Sequence, residues 1–414
     1  MAIERRLGTE NDPDIMVMGS AVEVFPEPSR SDEIRNAAEI LVSEESILLG
    51  DEQFEEQPPE MEFSANLAGV VEENILGKLA SDILSSINQD KESRSDWEKT
   101  YTDGLKYLGM KFDEGRSQPF EGSSGVIHPI LAEAVTQFQA QAYKEMLPAK
   151  GPVKTQIIGA RTVATETQAD RVQEFMNFYI MNVMKDYDPE MDMLLFYLPL
   201  AGSAFKKVYY DNVLNRAVSK FIAPEDLIVP YEASDLSSAE RVTHAISMSV
   251  NEIKKQQLSG FYIDVDISEN SFDSGESDVE AEIDKLQGIK AGYAEDRDHT
   301  VFEVHTILDL EGFEDAGEDG EPTGLKLPYI VTIDEPSEQV LSIRRNYNEG
   351  DPYANKINFF VQYKFLPGLG FYGLGLSHMI GGISKASTSI LRQLIDAGTL
   401  ANLPAGFKAR GMRI

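Results

Sequence analysis

From Leu67 onward the apolar residues recur every three or four positions: Leu67, Val71, Ile75, Leu79, Ile83 and Ile87, then Trp97, Tyr101, Leu105 and Leu108. That is the period of an α-helix with one buried face, so residues 66–110 are expected to form two helices. Residues 115–125, GRSQPFEGSSG, read as a loop by composition. Residues 126–148 predict a third helix. Pro129 suits its first turn, Pro148 stops it, and Leu131, Ala134, Val135, Phe138, Ala142 and Met146 share one face. Residues 154–160 read as a short strand and 165–184 as a helix capped by Thr165. Residues 188–202 read as a helix bent or stopped by Pro199 and Gly202.

After Gly202 the period shortens. Residues 203–233 read as two strands joined by an Asn-containing turn, followed by a proline-flanked bend, PEDLIVP. Residues 249–262 predict a short helix. From His299 the runs HTVFEVHTILDL, LKLPYIVTID, QVLSIRRNY and INFFVQYKFL alternate apolar and polar residues. With Asp319-Gly320 as a turn, they predict an antiparallel meander. A long helical run, 376–398, closes the readable pattern. The expectation is an α+β fold: a mainly helical region 63–202, an α+β region 203–366, and a turn plus long helix over 367–414. No internal repeat is visible.

Charge changes this picture at the ends and in one insertion. The chain of 414 residues has a formal net charge of −33. Residues 1–62 hold 17 acidic and 4 basic residues and are expected to be a mostly disordered acidic arm, with one short helix in the apolar clump 37–49. Residues 264–298 hold 12 acidic and 3 basic residues and are expected to be an acidic surface insertion. Such a chain repels free nucleic acid and anionic membrane at long range, which argues against a sequence-reading DNA binder. With no cysteine, disulfides and thiolate chemistry are excluded, which fits a reducing compartment. The opening MAIERRLGTENDPD has no apolar core, so no secretory signal is expected there. The most apolar window, 193–205, is too short to span a bilayer.

Four constellations invite a chemical reading. Gly368, Gly370 and Gly373 form a G-x-G-x-x-G, with Gly375 beyond it, between a strand-like run and a helix-like run. A dinucleotide loop also needs a buried parallel strand before it and a second strand after the helix. INFFVQYKFL alternates instead, and Asp396, at the spacing of the ribose-binding acid, falls inside the helix. The glycines are therefore expected to make tight structural turns. His299, Glu303 and His305 lie at even spacing on one strand face, a pattern that suits a divalent metal but more commonly marks ordinary polar residues on a solvated sheet face. The acidic runs 264–275 and 315–326 lack the calcium-loop pattern. Lys385 and Arg392 lie seven apart on the last helix, beside an apolar stripe of Leu376, Met379, Ile383, Ile390 and Leu394 suited to packing against a neighbour. No catalytic, cofactor-binding or metal-binding residue is assigned.

Four blocks, in order, resemble the portal protein of tailed bacteriophages, the head-to-tail connector of podovirus type. They are 128–157, a helix ending in Leu-Pro before a strand; 192–211, a helix leading into a strand pair; 221–255, a Pro-rich bend before a strand and helix; and 366–411, a YGxG turn opening a long helix. The similarity covers roughly residues 95–414. It implies a portal-like α+β fold with an antiparallel wing sheet leading into a long stem-type helix. It further implies a homo-oligomeric ring of about twelve subunits at one capsid vertex, through which double-stranded DNA passes during packaging and ejection. The implied partners are the large subunit of the terminase, which supplies ATP hydrolysis, the head-to-tail adaptor and tail proteins, and the major capsid and scaffolding proteins. The implied location is the virion, with the host cytoplasm during assembly, and neither a membrane nor an enzymatic activity is expected of the portal. Lys385 and Arg392 become candidates for facing DNA or a neighbouring subunit. Portal chains continue past the block matching ANLPAGFKARG into a clip, so truncation before the clip is expected here. Two other readings stay open: a nucleotide-binding enzyme using the glycine loop 368–373, and another acidic virion or scaffold-type interaction protein.

Overall fold

The computed structural model describes residues 62–109, 123–267, 278–288, 299–315 and 323–402. The acidic arm, most of the 115–125 loop, the Asp319-Gly320 turn, parts of both acidic runs and the segment after Asn402 lie outside the described residues. Contacts divide the chain after Met61, and the unit that begins at Glu62 holds everything described below.

The two helices expected over 66–110 are α1 (Glu73–Ser93) and α2 (Ser95–Lys106). Ile83 and Ile87 of α1 and Trp97, Tyr101 and Leu105 of α2 are buried, as their spacing predicts. α3 (Ile130–Met146) starts directly after Pro129 and buries Leu131 and Val135, while Met146 stays exposed. The segment 154–160 is extended but joins no sheet. Thr155 N and the preceding Val153 bond instead to side-chain amides of α4 (Val163–Phe178): Asn177 accepts from Val153 N at 2.9 Å and donates to Val153 O at 3.1 Å, and Gln173 accepts from Thr155 N at 3.2 Å. The cap of α4 is Thr162 rather than Thr165. The two threonines satisfy each other's backbone N–H in a capping box, so only the geometry separates cap from third residue. α4 runs into a π-turn, Tyr179–Val183, and buries none of its own residues. α5 (Tyr187–Ala201) holds Pro199 in its last turn and ends at Gly202, whose φ of 91° is left-handed.

The strands are β1 (Ser203–Asp211), β2 (Arg216–Ile222), β3 (Leu227–Ile228), β4 (Arg241–Met248), β5 (His299–Leu308), β6 (Leu327–Asp334), β7 (Gln339–Arg345) and β8 (Phe360–Lys364). They form two sheets, ordered β2-β1-β8 and β3-β4-β5-β6-β7, with every pairing antiparallel. The expected meander is thus one strand too long: β8 leaves it and pairs with β1. The outer edge of β7 is already taken. Asn66 accepts from Ile343 N at 3.0 Å and donates to Leu341 O at 3.2 Å, and Ile263 N donates to Leu341 O at 2.9 Å.

The five-stranded sheet is covered on both faces. α1 packs Ile83 and Ile87 against Phe302, Val304, Tyr329, Val331 and Ile343. On the other face α6 (Val250–Leu258), started by a Ser249–Glu252 capping box, packs Ile253 with Tyr262, Val301 and Leu341. The expected acidic insertion contains α7 (Asp278–Gln287), which is no mere surface excursion. Its Val279 is fully buried, and Ile283 and Leu286 pack against the core around Trp97 and Tyr101. The chain's last described element is α8 (Leu376–Asn402). Among the described residues, no helix is long and apolar enough to cross a membrane.

Candidate functional site: the glycine turn and the last helix

The strand β8 delivers the chain into the glycine turn, which closes on itself where Leu374 N donates to Leu366 O at 2.9 Å. The turn is threaded against Gly202, the last residue of the α5 cap. A methyl group built on Gly373 would lie 2.4 Å from Gly202 O, and one on Gly375 would lie 2.5 Å from Gly202 N. At Gly370 the obstacle is the Tyr231 ring, 2.4 Å away, and at Gly368 it is Tyr372 O, 2.2 Å away. None of these four glycines has a left-handed φ, so close approach rather than unusual backbone accounts for them.

Four amides of the turn are spent within the chain, Leu374 N among them. Phe371 N donates to Tyr231 O at 2.9 Å, Gly373 N to Ser203 Oγ at 2.8 Å, and Gly375 N to His378 Nδ1 at 3.3 Å. With Leu374 also engaged, the second half of the motif has little left to offer a phosphate, which is bound by free N–H groups at a helix start. Aromatic rings fill the adjoining space. Tyr372 stacks on Trp97 with centroids 4.7 Å apart, and Trp97 Nε1 donates to Gly373 O at 3.0 Å. The Tyr372 hydroxyl donates to Leu227 O at 2.8 Å and accepts from Val229 N and Arg94 Nη1, both at 3.1 Å. Arg94, 3% exposed, also donates to the carbonyls of Pro224, Leu227 and Glu225. This hub locks α1, α2, the bend 224–229 and the glycine turn together. Nothing in the pattern around Arg94 predicts a buried cation, because an arginine between two amphipathic helices ordinarily reads as surface.

From this fixed start α8 runs out with its polarity reversed. The buried side is Ser377, Ser384 and Thr388, whereas Met379, Ile383, Ile390 and Leu394 are 51%, 59%, 65% and 69% exposed. Among the described residues, only Leu376 of the expected stripe packs against the core. The inner face is zipped to the extended segment 124–128 at successive turns. Thr388 Oγ1 accepts from His128 N at 3.1 Å, Arg392 Nε donates to Val126 O at 2.7 Å, and Asp396 Oδ1 accepts from Ser124 N at 2.7 Å. Arg392 therefore turns inward and serves the chain's own backbone, while Lys385 remains exposed. Asp396, at the position a ribose-binding acid would take, is likewise engaged.

The histidine constellation lies elsewhere and is buried, contrary to the expected solvated face. His299 Nδ1 and Asp334 Oδ1 are 3.0 Å apart, and both residues are inaccessible. Glu303 meets His305 Nε2 at 2.8 Å and Lys207 Nζ, from the other sheet, at 2.6 Å. Burial pushes the Glu303 carboxyl up, but the His305 hydrogen bond and the Lys207 charge outweigh it and hold the group well below the usual carboxylate range. Burial, then the Lys207 charge, lowers neighbouring His244 to about 4. The group ties the two sheets together, and no three His, Asp or Glu side chains among the described residues are placed to hold a metal ion.

No protein-family model matches the chain, and no curated protein matches it.

Proposed function

We propose that the chain is a subunit of a phage portal: a ring at one capsid vertex that conducts double-stranded DNA and docks the packaging motor and tail. The observation that carries this reading is the reversed polarity of α8. A helix of 27 residues presents Met379, Ile383, Ile390 and Leu394 outward and Ser377, Ser384 and Thr388 inward. Burying a large aliphatic side chain contributes roughly 1.5–3 kcal/mol, so four outward ones favour association with a neighbouring subunit. The order of the four resembling blocks supports the same assignment. A net charge of −33, repeated around a ring, also suits a conduit that must not grip a polyanion.

Negative-stain electron microscopy of the full-length gene product, at moderate salt, tests the reading. Closed rings with a central hole and about twelvefold symmetry are expected. Ile383→Asp with Ile390→Asp should leave the subunit folded and abolish the rings. A well-behaved monomer from the full-length product, under every condition tried, overturns the assignment.

A further inference from the structure

α7 is held by apolar contacts, yet its first turn closes over carboxyl groups. Asp278 and Glu280 face a cavity of about 350 Å³, which is also lined by Glu225 and Asp226 of the bend before β3. Charged groups of the other surrounding elements face it too: Lys91 of α1, Arg94 between α1 and α2, Glu98 and Lys99 of α2, and Glu335 of the β6–β7 turn. Among the described residues, the cations that face the cavity are engaged in other contacts, and Glu280 is itself engaged. Arg94 donates to backbone carbonyls and Tyr372 and pairs with Glu98 at 3.4 Å, Lys91 pairs with Glu335 at 3.4 Å, and Lys99 lies 3.8 Å from Asp96 at the surface. Glu225 Oε2 is buried and has no hydrogen-bond partner among the described residues. An ionised carboxylate oxygen is costly in that position, and a proton relieves the cost.

We infer that α7 is a charge-sensitive latch, docked while the carboxyl cluster beneath it holds protons and released as that cluster ionises. Burial first, then neighbouring Asp226, pushes Glu225 up to about 8, against the opposing pull of a backbone hydrogen bond and Arg94. Burial, then Glu280, pushes Asp226 up to about 7, again against Arg94. Both groups line the cavity and are half-buried; lifting α7 opens that cavity, admits more water to them and returns them towards the ordinary carboxyl range. The docked state therefore binds more protons between that range and about pH 8. Docking weakens as pH rises through the window and levels off above it, by roughly tenfold per pH unit for each proton involved. This inference does not depend on the portal reading.

The chain has no cysteine, so Val279→Cys places a single thiol beneath α7. Gln287→Cys, at the exposed end of the same helix, supplies the intrinsic thiol reactivity at each pH. The ratio of their labelling rates with a pyridyl disulfide should rise at least about tenfold from about pH 5.5 to about pH 8 and flatten beyond. Asp226→Asn with Glu225→Gln on the Val279→Cys background should remove most of that rise. If that double variant does not fold by circular dichroism, Asp226→Asn alone should reduce the slope. Hydrogen exchange of wild-type α7 amides, corrected for intrinsic pH dependence, should give the same profile without any substitution. A flat labelling ratio, a profile unchanged by the amide substitutions, or wild-type exchange independent of pH overturns the latch.

Discussion

A single methyl group at Gly373 is expected to be among the most damaging small changes in this chain. It would stand 2.4 Å from the Gly202 carbonyl oxygen and 2.7 Å from that of Leu366. Unstrained carbon–oxygen contacts lie near ~3.3 Å, so the two backbones must part by almost an ångström. Neither obstacle is a side chain that can swing away. Phe365 N bonds to Gly202 O at 3.0 Å, Leu374 N to Leu366 O at 2.9 Å, and Gly373 N to Ser203 Oγ at 2.8 Å, so separation stretches all three. Overpacking costs roughly 1–3 kcal/mol, and each weakened hydrogen bond adds about 1 kcal/mol. Gly373 has no left-handed φ, so alanine suffers no conformational penalty there and the cost is purely steric. The expected loss for Gly373→Ala is about 3 kcal/mol. Gly381→Ala is the control. It sits in α8 with nothing within 4 Å, and removing a mid-helix glycine should stabilise by roughly 0.5–1 kcal/mol. Scanning calorimetry, at about 2 °C per kcal/mol for a large domain, should place the first variant about 6 °C below the parent and the second slightly above it. A Gly373→Ala protein that melts with the parent would refute the tight crossing and reopen a ligand-binding role for the motif.

Lys207→Met should destabilise by about 3–5 kcal/mol in urea unfolding at neutral pH, because it strands the buried Glu303 charge between the sheets; a loss under 1 kcal/mol would show that water compensates the group. His244 is neutral in the fold, with its value lowered to about 4, so the unfolded chain takes up the extra proton first as pH falls below about 6.5. Stability should drop by up to about 3 kcal/mol between pH 6.5 and pH 4, and the part lost to His244 should vanish in His244→Gln when urea midpoints are compared across that range. Tyr372→Phe keeps the ring stack but removes the hydroxyl shared by Leu227 O, Val229 N and Arg94. It should cost about 1–3 kcal/mol, read from chemical unfolding, with the near-ultraviolet spectrum of the single tryptophan retained. Thr388→Val deletes the acceptor of His128 N and should cost about 1–2 kcal/mol, with faster amide exchange at His128 than in the parent.

Local periodicity was enough to find most elements, because the three-to-four spacing of Ile83, Ile87, Trp97 and Tyr101 and the alternation after Gly202 reflect burial that each element imposes on its own residues. It also separated a glycine motif in an antiparallel setting from one in a βαβ unit. Where one element's partner lies far along the chain, the pattern was silent or misleading. β8 alternates like its neighbours in sequence, but Asn66, some 275 residues before Leu341, had already occupied the edge it would have joined. The histidines on β5 read as a solvated face, since nothing local announces that Lys207 arrives from another sheet. The segment 154–160 has the composition of a strand, yet it joins no sheet, and Thr155 N bonds to the Gln173 side chain of a helix.

The chain alone determined that this is an acidic α+β protein without cysteine, carrying one long, apolar-striped helix after a glycine-rich turn. These properties follow from composition and from nearest-neighbour spacing along one element. Only the tertiary structure decided what the glycines touch, which way Arg392 points and which face of α8 is left bare. A glycine records that a side chain is absent but not which backbone fills the gap, and an amphipathic stripe records that a face is apolar but not whether its own chain covers it. Gly202 and the segment 124–128 supply those answers, and both are brought to the site by folding rather than by sequence proximity.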